Sequence, residues 1–90
     1  MKIIEKKVWP EYFEKILSGS KTFELRLNDF DVEEGDELFL REYDPKTKEY
    51  TGRELRRKAG FVGKWKISDL NIFWSEEEIK QKGLVVISLL

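Results

Sequence analysis

Trp9-Pro10-Glu11-Tyr12-Phe13-Glu14-Lys15-Ile16-Leu17-Ser18-Gly19-Ser20-Lys21-Thr22-Phe23-Glu24-Leu25-Arg26 is the stretch on which the reading of this chain turns. Pro10 suits the first position of a helix, where its missing N–H is not needed. Trp9, Tyr12, Phe13, Ile16 and Leu17 recur at the i, i+3, i+4, i+7, i+8 spacing of one helical face. Gly19 fits the left-handed residue that closes such a helix. The period then drops to two: Phe23 and Leu25 fall on one side, Thr22, Glu24 and Arg26 on the other, as in a half-buried strand with an ionic outer face. The expectation is a helix that lays an aromatic face on a core and passes directly into a strand.

Outward from this centre, Lys2 to Val8 reads as a short strand. Asn28-Asp29 opens a loop and Gly35-Asp36 makes a turn, after which Glu37 to Tyr43 alternates with Leu38 and Leu40 inward. Asp44-Pro45-Lys46 and Thr51-Gly52 bracket a hairpin-like excursion. Arg53 to Phe61 reads as a third strand with Leu55, Arg57, Ala59 and Phe61 on one side, its charges suiting an edge or a binding face. Ser75 and Glu78 match a capping box opening a short helix that Lys80, Lys82 and Gly83 close. Gly83 to Leu89 is a nearly continuous apolar strand of the kind buried on both faces. The order is strand, helix, three strands, short helix, strand, which points to a small α+β fold or partly closed barrel rather than a parallel βαβ sheet.

With 90 residues the chain is read as a single domain spanning 1–90, too short for a second core. It has no Cys and no His, which removes disulfides, thiolate nucleophiles, Cys- and His-based metal sites and the usual neutral-pH general base. No metal and no cofactor is expected, and chemistry would fall to Lys, Asp/Glu, Tyr, Ser/Thr or backbone. The longest apolar run, Leu84-Val85-Val86-Ile87, is far too short to cross a membrane, and the first residues do not resemble a signal peptide, so a cytoplasmic location is expected. The abundance of Lys and Glu with few thermolabile residues is of the kind seen in thermophiles. The oligomeric state cannot be read from these residues.

Seventeen basic and 18 acidic residues leave a net charge of −1, unevenly spread. Residues 29–37 carry six acids and no base; their spacing lacks the alternation of a calcium loop and reads as a solvated acidic loop. Residues 50–66 carry Arg53, Arg56, Arg57, Lys58, Lys64 and Lys66 against Glu54 alone, so a basic face can exist on a nearly neutral protein. Helical spacing favours core packing over base stacking for Trp9, Tyr12 and Phe13, whereas Trp65 and Trp74, in less regular segments, are freer to line a pocket.

The pattern most directly tied to chemistry is Gly19-Ser20-Lys21-Thr22-Phe23-Glu24-Leu25-Arg26, that is Gly-x-Lys-x-x-Glu-x-Arg. Two cations and a carboxylate held at fixed spacing beside a helix terminus can grip a phosphate or the polar edge of a base. This stretch resembles the signature of the ASCH domains, a family with a PUA-like β-barrel fold. With Trp9 to Phe13, Leu27-Asn28-Asp29, Gly35-Asp36 and Tyr50 to Arg53, the chain is similar to a compact prokaryotic and phage subgroup of that family. The resemblance implies a small PUA-like mixed barrel, with one helix in its N-terminal half and a short C-terminal helix, that binds RNA or a nucleotide in a cleft. Lys21 and Arg26 would contact phosphate or sugar oxygens, Glu24 would orient them, and Asn28, Arg53 and Arg57 would extend the surface.

Some relatives in that family are amidohydrolases that cleave acylated cytidines with the motif lysine and a threonine nucleophile. Here Glu24 stands at the threonine's place and Thr22 lies two residues earlier. The alternative that follows is a metal-free amidohydrolase acting on a modified nucleoside such as an N4-acylated cytidine. Lys21 would be its general base, with Thr22 as nucleophile or Glu24 activating water. A third possibility is a protein-interaction or regulatory domain with a vestigial cleft.

Overall fold

The structure, a computed structural model, describes residues 1–83. Along the chain come β1 (Ile3–Val8), α1 (Pro10–Leu17), β2 (Glu37–Asp44), β3 (Glu49–Lys58), a 3₁₀ segment (Ile67–Ile72) and α2 (Glu76–Lys82). The strands form one mixed sheet in the order β1-β2-β3. The fold is thus a small α+β arrangement with an open three-stranded sheet among the described residues.

α1 begins and ends where its local chemistry dictates. Pro10 occupies the first turn, Trp9 is the extended residue before it, and Gly19 takes a left-handed φ of 85° after the last turn. Phe13 and Ile16 are buried and meet Val8 of β1 and Leu40 of β2, with Leu38 and Leu55 packed at the margin. This is the core, and Phe13 and Leu40 are its most enclosed side chains. Leu38 and Leu40 face inward as their alternation predicts.

β1 and β2 run parallel, with Ile3 opposite Glu37 and Val8 opposite Glu42, whereas β2 and β3 are an antiparallel hairpin. The parallel pair departs from the expected topology. Residues 21–26, whose alternation predicts a half-buried strand directly after the helix, join no ladder. Instead α1 and the irregular connection 18–36 carry the chain back to the end from which β1 started, and a parallel pair requires such a crossover. Leu25 accordingly stays 73% exposed rather than half-buried.

β3 starts at Glu49, four residues before the expected Arg53, and ends at Lys58, leaving Phe61 exposed. The hairpin closes through Lys48 in a left-handed conformation, and β3 bulges between Tyr50 and Glu54 where Gly52 has a φ of 96°. The expected short helix is present as α2. Ser75 Oγ accepts from the Glu78 N–H at 3.2 Å and donates to its carboxylate at 3.3 Å, and Ile79 is the helix's buried residue. The expected strand from Gly83 to Leu89 lies beyond the described residues. No helix among the described residues is long and apolar enough to cross a membrane.

Candidate functional site

Where α1 ends, the chain is folded back by hydrogen bonds rather than by a sheet. The Gly19 N–H donates to the Ile16 carbonyl, the Lys21 N–H reaches the Lys15 carbonyl at 2.9 Å, and the hydroxyls of Ser18 and Ser20 both donate to that same carbonyl. Lys21 is therefore delivered to a fixed place two residues beyond Gly19.

The three charges of the motif then meet. Lys21 Nζ donates to Glu24 Oε1 at 3.0 Å and to the Phe23 carbonyl at 2.6 Å, and lies 4.8 Å from the Phe23 ring centre. Arg26 Nε donates to Glu24 Oε2 at 2.7 Å, while its Nη2 donates to the Lys7 carbonyl at 2.7 Å and so ties the segment to the end of β1. Glu24 bridges two cations, one on each oxygen, and the three side chains remain 16–28% accessible. A sheet is not needed to hold residues 21–26 in place: these bonds do it.

Lys21, Glu24 and Arg26 line an open cavity of about 470 Å³ together with Lys7, Val8, Trp9, Tyr12, Phe23 and Leu25. That volume falls in the range of small-ligand sites. Lys21 and Arg26 against the one carboxylate of Glu24 make the lining electropositive, and Lys7 borders it. Trp9 and Tyr12, half-exposed at 50% and 44%, supply flat aromatic surface beside the charges. Lys7 differs from the other two cations: no carboxylate lies within ion-pair distance of it among the described residues, and its Nζ sits 4.4 Å from the Tyr43 ring centre.

The sequence-based assignment of Trp9 and Tyr12 to the core is thus corrected. Trp9 precedes the helix, so the helical period does not govern where its ring goes. A stripe running from Tyr12 to Leu17 spans about 140° around the axis, and a two-turn helix on a three-stranded sheet buries only its centre, Phe13 and Ile16. Lys7 was missed for a related reason, being an unremarkable lysine of an alternating strand until the connection brought residues 21–26 beside it.

The other expected site residues are placed elsewhere. Thr22 and Asn28 are exposed and do not line the cavity. Arg53 is turned to the core side of the sheet. Its Nε and Nη2 donate to Glu42 at 3.0 and 2.7 Å, its Nη2 also reaches Glu14 of α1, and its guanidinium stacks 4.9 Å from the Phe13 ring centre. Glu42 is almost fully buried, and Thr51 Oγ1 donates to it as well. The bulge around Gly52 lets both Thr51 and Arg53 turn to this one carboxylate. The Arg53 guanidinium, and after it the Thr51 hydroxyl, holds the Glu42 carboxyl below the usual carboxylate range. Arg57 donates to the neighbouring Arg56 carbonyl and is exposed, while Arg56 pairs with Glu37. Strand alternation and these pairings divide the basic stretch, so it forms no single face. Trp65 and Trp74 are exposed and line neither this cavity nor the shallower one at Val32, Glu33, Glu34, Phe61, Val62 and Lys64.

In the acidic loop, Asp36 is buried and structural. It accepts from the N–H groups of Lys2 and Glu33, both at 2.9 Å, which lowers its carboxyl from the ordinary range. Asp31 faces Lys2 and Lys64. Asp31, Asp36 and, through Arg56, Glu37 are thus paired within the chain.

A small α+β domain with an electropositive, aromatic-walled cleft beside its first helix is the class these features define. A family model described as a domain of unknown function (DUF3850) matches residues 3–72, well over half of the chain, and the protein belongs to that family. The matched span includes the helix, the cleft and the whole sheet. No curated protein and no solved structure matches the chain significantly.

Proposed function

We propose that this protein binds RNA or a nucleotide in the cleft formed by Lys7, Trp9, Tyr12, Lys21, Glu24 and Arg26. The observation that carries this reading is the convergence of Lys21, Glu24 and Arg26 on one concave surface, joined there by two half-exposed aromatic rings. Cations serve phosphate oxygens, and aromatic faces serve unstacked bases, which is the combination single-stranded nucleic acid calls for. Glu24 holds Lys21 and Arg26 in place and keeps lone pairs that can accept from a base amino group. The reading extends to the ASCH resemblance, with a PUA-like architecture continuing the open sheet and a cytoplasmic location where such ligands occur.

Binding is favoured over hydrolysis of an acylated cytidine by how Lys21 is used. Its Nζ donates both to the Glu24 carboxylate and to the Phe23 carbonyl, the role of a hydrogen-bond donor rather than of a proton acceptor. Thr22, the nucleophile that hydrolysis would call on, is outside the cleft lining.

Titration with single-stranded RNA at two salt concentrations tests the proposal. Replacing two phosphate-contacting cations by Lys21→Ala with Arg26→Ala should make the dependence of log K on log salt shallower by about 1.4. Absence of binding at low salt, or an unchanged slope in the double variant, refutes it. Release of free acid from an N4-acylated cytidine would instead support the hydrolase.

A further inference from the structure

The sheet face opposite α1 carries a second aromatic and cationic group, and Lys7 belongs to both regions. On that face Tyr43 and Tyr50 are paired across the β2–β3 hairpin, with ring centres 5.3 Å apart at 72°. The Arg41 guanidinium lies 3.8 Å over the Tyr50 ring, and Lys7 Nζ is 4.4 Å from Tyr43 and 5.7 Å from Tyr50. In the parallel register Lys7 stands beside Arg41, and residues opposite one another in adjacent strands share a face. Tyr50 keeps 38% of its surface exposed. α1 packs on the other side through Phe13 and Ile16.

Arg41 is balanced on this face by Glu5 at 3.6 Å and Glu54 at 3.1 Å. Lys7 has no such partner among the described residues, and it stands where the cleft meets the sheet. An anion bridging the two regions meets its unneutralised charge there. On one side of Lys7 lie Trp9 and Tyr12, on the other Tyr43, Tyr50 and the flat guanidinium of Arg41. Aromatic rings and arginine planes flanking a cation offer the alternation of stacking surface and phosphate contact that a single strand of RNA presents in reverse.

We propose that the ligand is a single-stranded RNA segment of several nucleotides rather than a free nucleotide. One nucleotide occupies the cleft, the next phosphate crosses Lys7, and a following base stacks on the Tyr43, Tyr50 and Arg41 group. This rests on the reading of the cleft given above, and it fixes the class of ligand and the direction in which the strand leaves.

The test compares the full chain's affinity for uridine monophosphate with its affinity for an oligouridylate of about eight nucleotides, at low salt. The oligomer should bind at least about tenfold more tightly, and Tyr50→Ala should bring that ratio down by about tenfold, whereas Tyr50→Phe, which keeps the ring, should preserve it. The length comparison on the unaltered protein stands whether or not Tyr50→Ala folds. Equal affinity for the two probes overturns the proposal. So does an oligomer affinity that falls in Lys21→Ala with Arg26→Ala but not in Tyr50→Ala, an outcome that leaves the cleft reading intact. Failure of both probes to bind removes the cleft reading as well.

Discussion

Glu42 and Glu24 invite comparison because each is a carboxylate gripped by an arginine and a second side-chain donor, and they do different work. Glu42 lies on the core side of β2, its side chain 5% exposed, with Thr51 and Arg53 turned to it by the bulge in β3 and Phe13 under the guanidinium. Every charge there is answered by protein, and Arg53 further joins Glu14 so that hairpin and helix are tied together. Glu24 sits on an irregular segment at the mouth of a cavity, its partners Lys21 and Arg26 partly open to water and next to exposed aromatic rings. The same residue types make a structural clasp where they are enclosed and a candidate ligand site where they line a concave surface. What separates them is access and charge balance, since a ligand can approach only donors that the fold has not consumed.

Removing the floor of the clasp should have the largest effect. Phe13→Ala empties a fully buried position and takes away the ring beneath Arg53, so it should cost about 3–5 kcal/mol in a urea or thermal melt. A loss below about 1 kcal/mol would mean that the clasp and core are not coupled as described.

Acid provides the next test. Glu42 and Asp36 both titrate below their ordinary range in the folded protein, Glu42 through Arg53 and Asp36 through the N–H groups of Lys2 and Glu33. A carboxylate whose folded pKa is depressed adds stability above its unfolded pKa and loses it as the pH falls through the folded value. Stability should therefore be level from neutrality to about pH 5 and decline below it. Glu42→Gln should be less stable than the native chain at pH 7 and show a shallower acid decline. A melt as steep in acid for the variant as for the native chain would remove Glu42 from the account.

The smallest effect is expected at the cleft itself. Partly exposed ion pairs contribute little to folding, so Lys21→Ala with Arg26→Ala should lower stability by about 1 kcal/mol or less, even though it should disturb ligand binding. Arg53→Ala, by contrast, leaves Glu42 buried without its counter-ion and should destabilise the chain more than that pair. If melts rank the two variants the other way, the clasp and the cleft have been assigned in reverse.

Part of this was legible in the residues alone. The limits of α1 followed from Pro10 and Gly19, the inward face of β2 from the alternation of Leu38 and Leu40, and the start of α2 from Ser75 and Glu78. Each depends on neighbours within a turn or a strand. The motif charges Lys21, Glu24 and Arg26 were also visible, because their spacing survives whether the segment is strand or coil. The topology was not: an alternating run such as 21–26 has the pattern of a strand but becomes one only if a partner edge is in reach. The sides taken by Trp9 and Tyr12 were equally hidden, since Trp9 lies before the helix and the edge of a short helix's apolar stripe has no core to enter.

Local pattern sets the limits of α1, the inward face of β2, the start of α2 and the stock of charged groups, without Cys or His, from which any site must be made. Which of those groups are consumed and which are offered follows from long-range packing. A bulge at Gly52 turned Arg53 onto Glu42, and a crossover of irregular chain set Lys21 and Arg26 against Lys7, Trp9 and Tyr12. The physical reason is that a charge's role depends on what lies within a few ångströms of it, and those neighbours come from parts of the chain that local pattern does not relate.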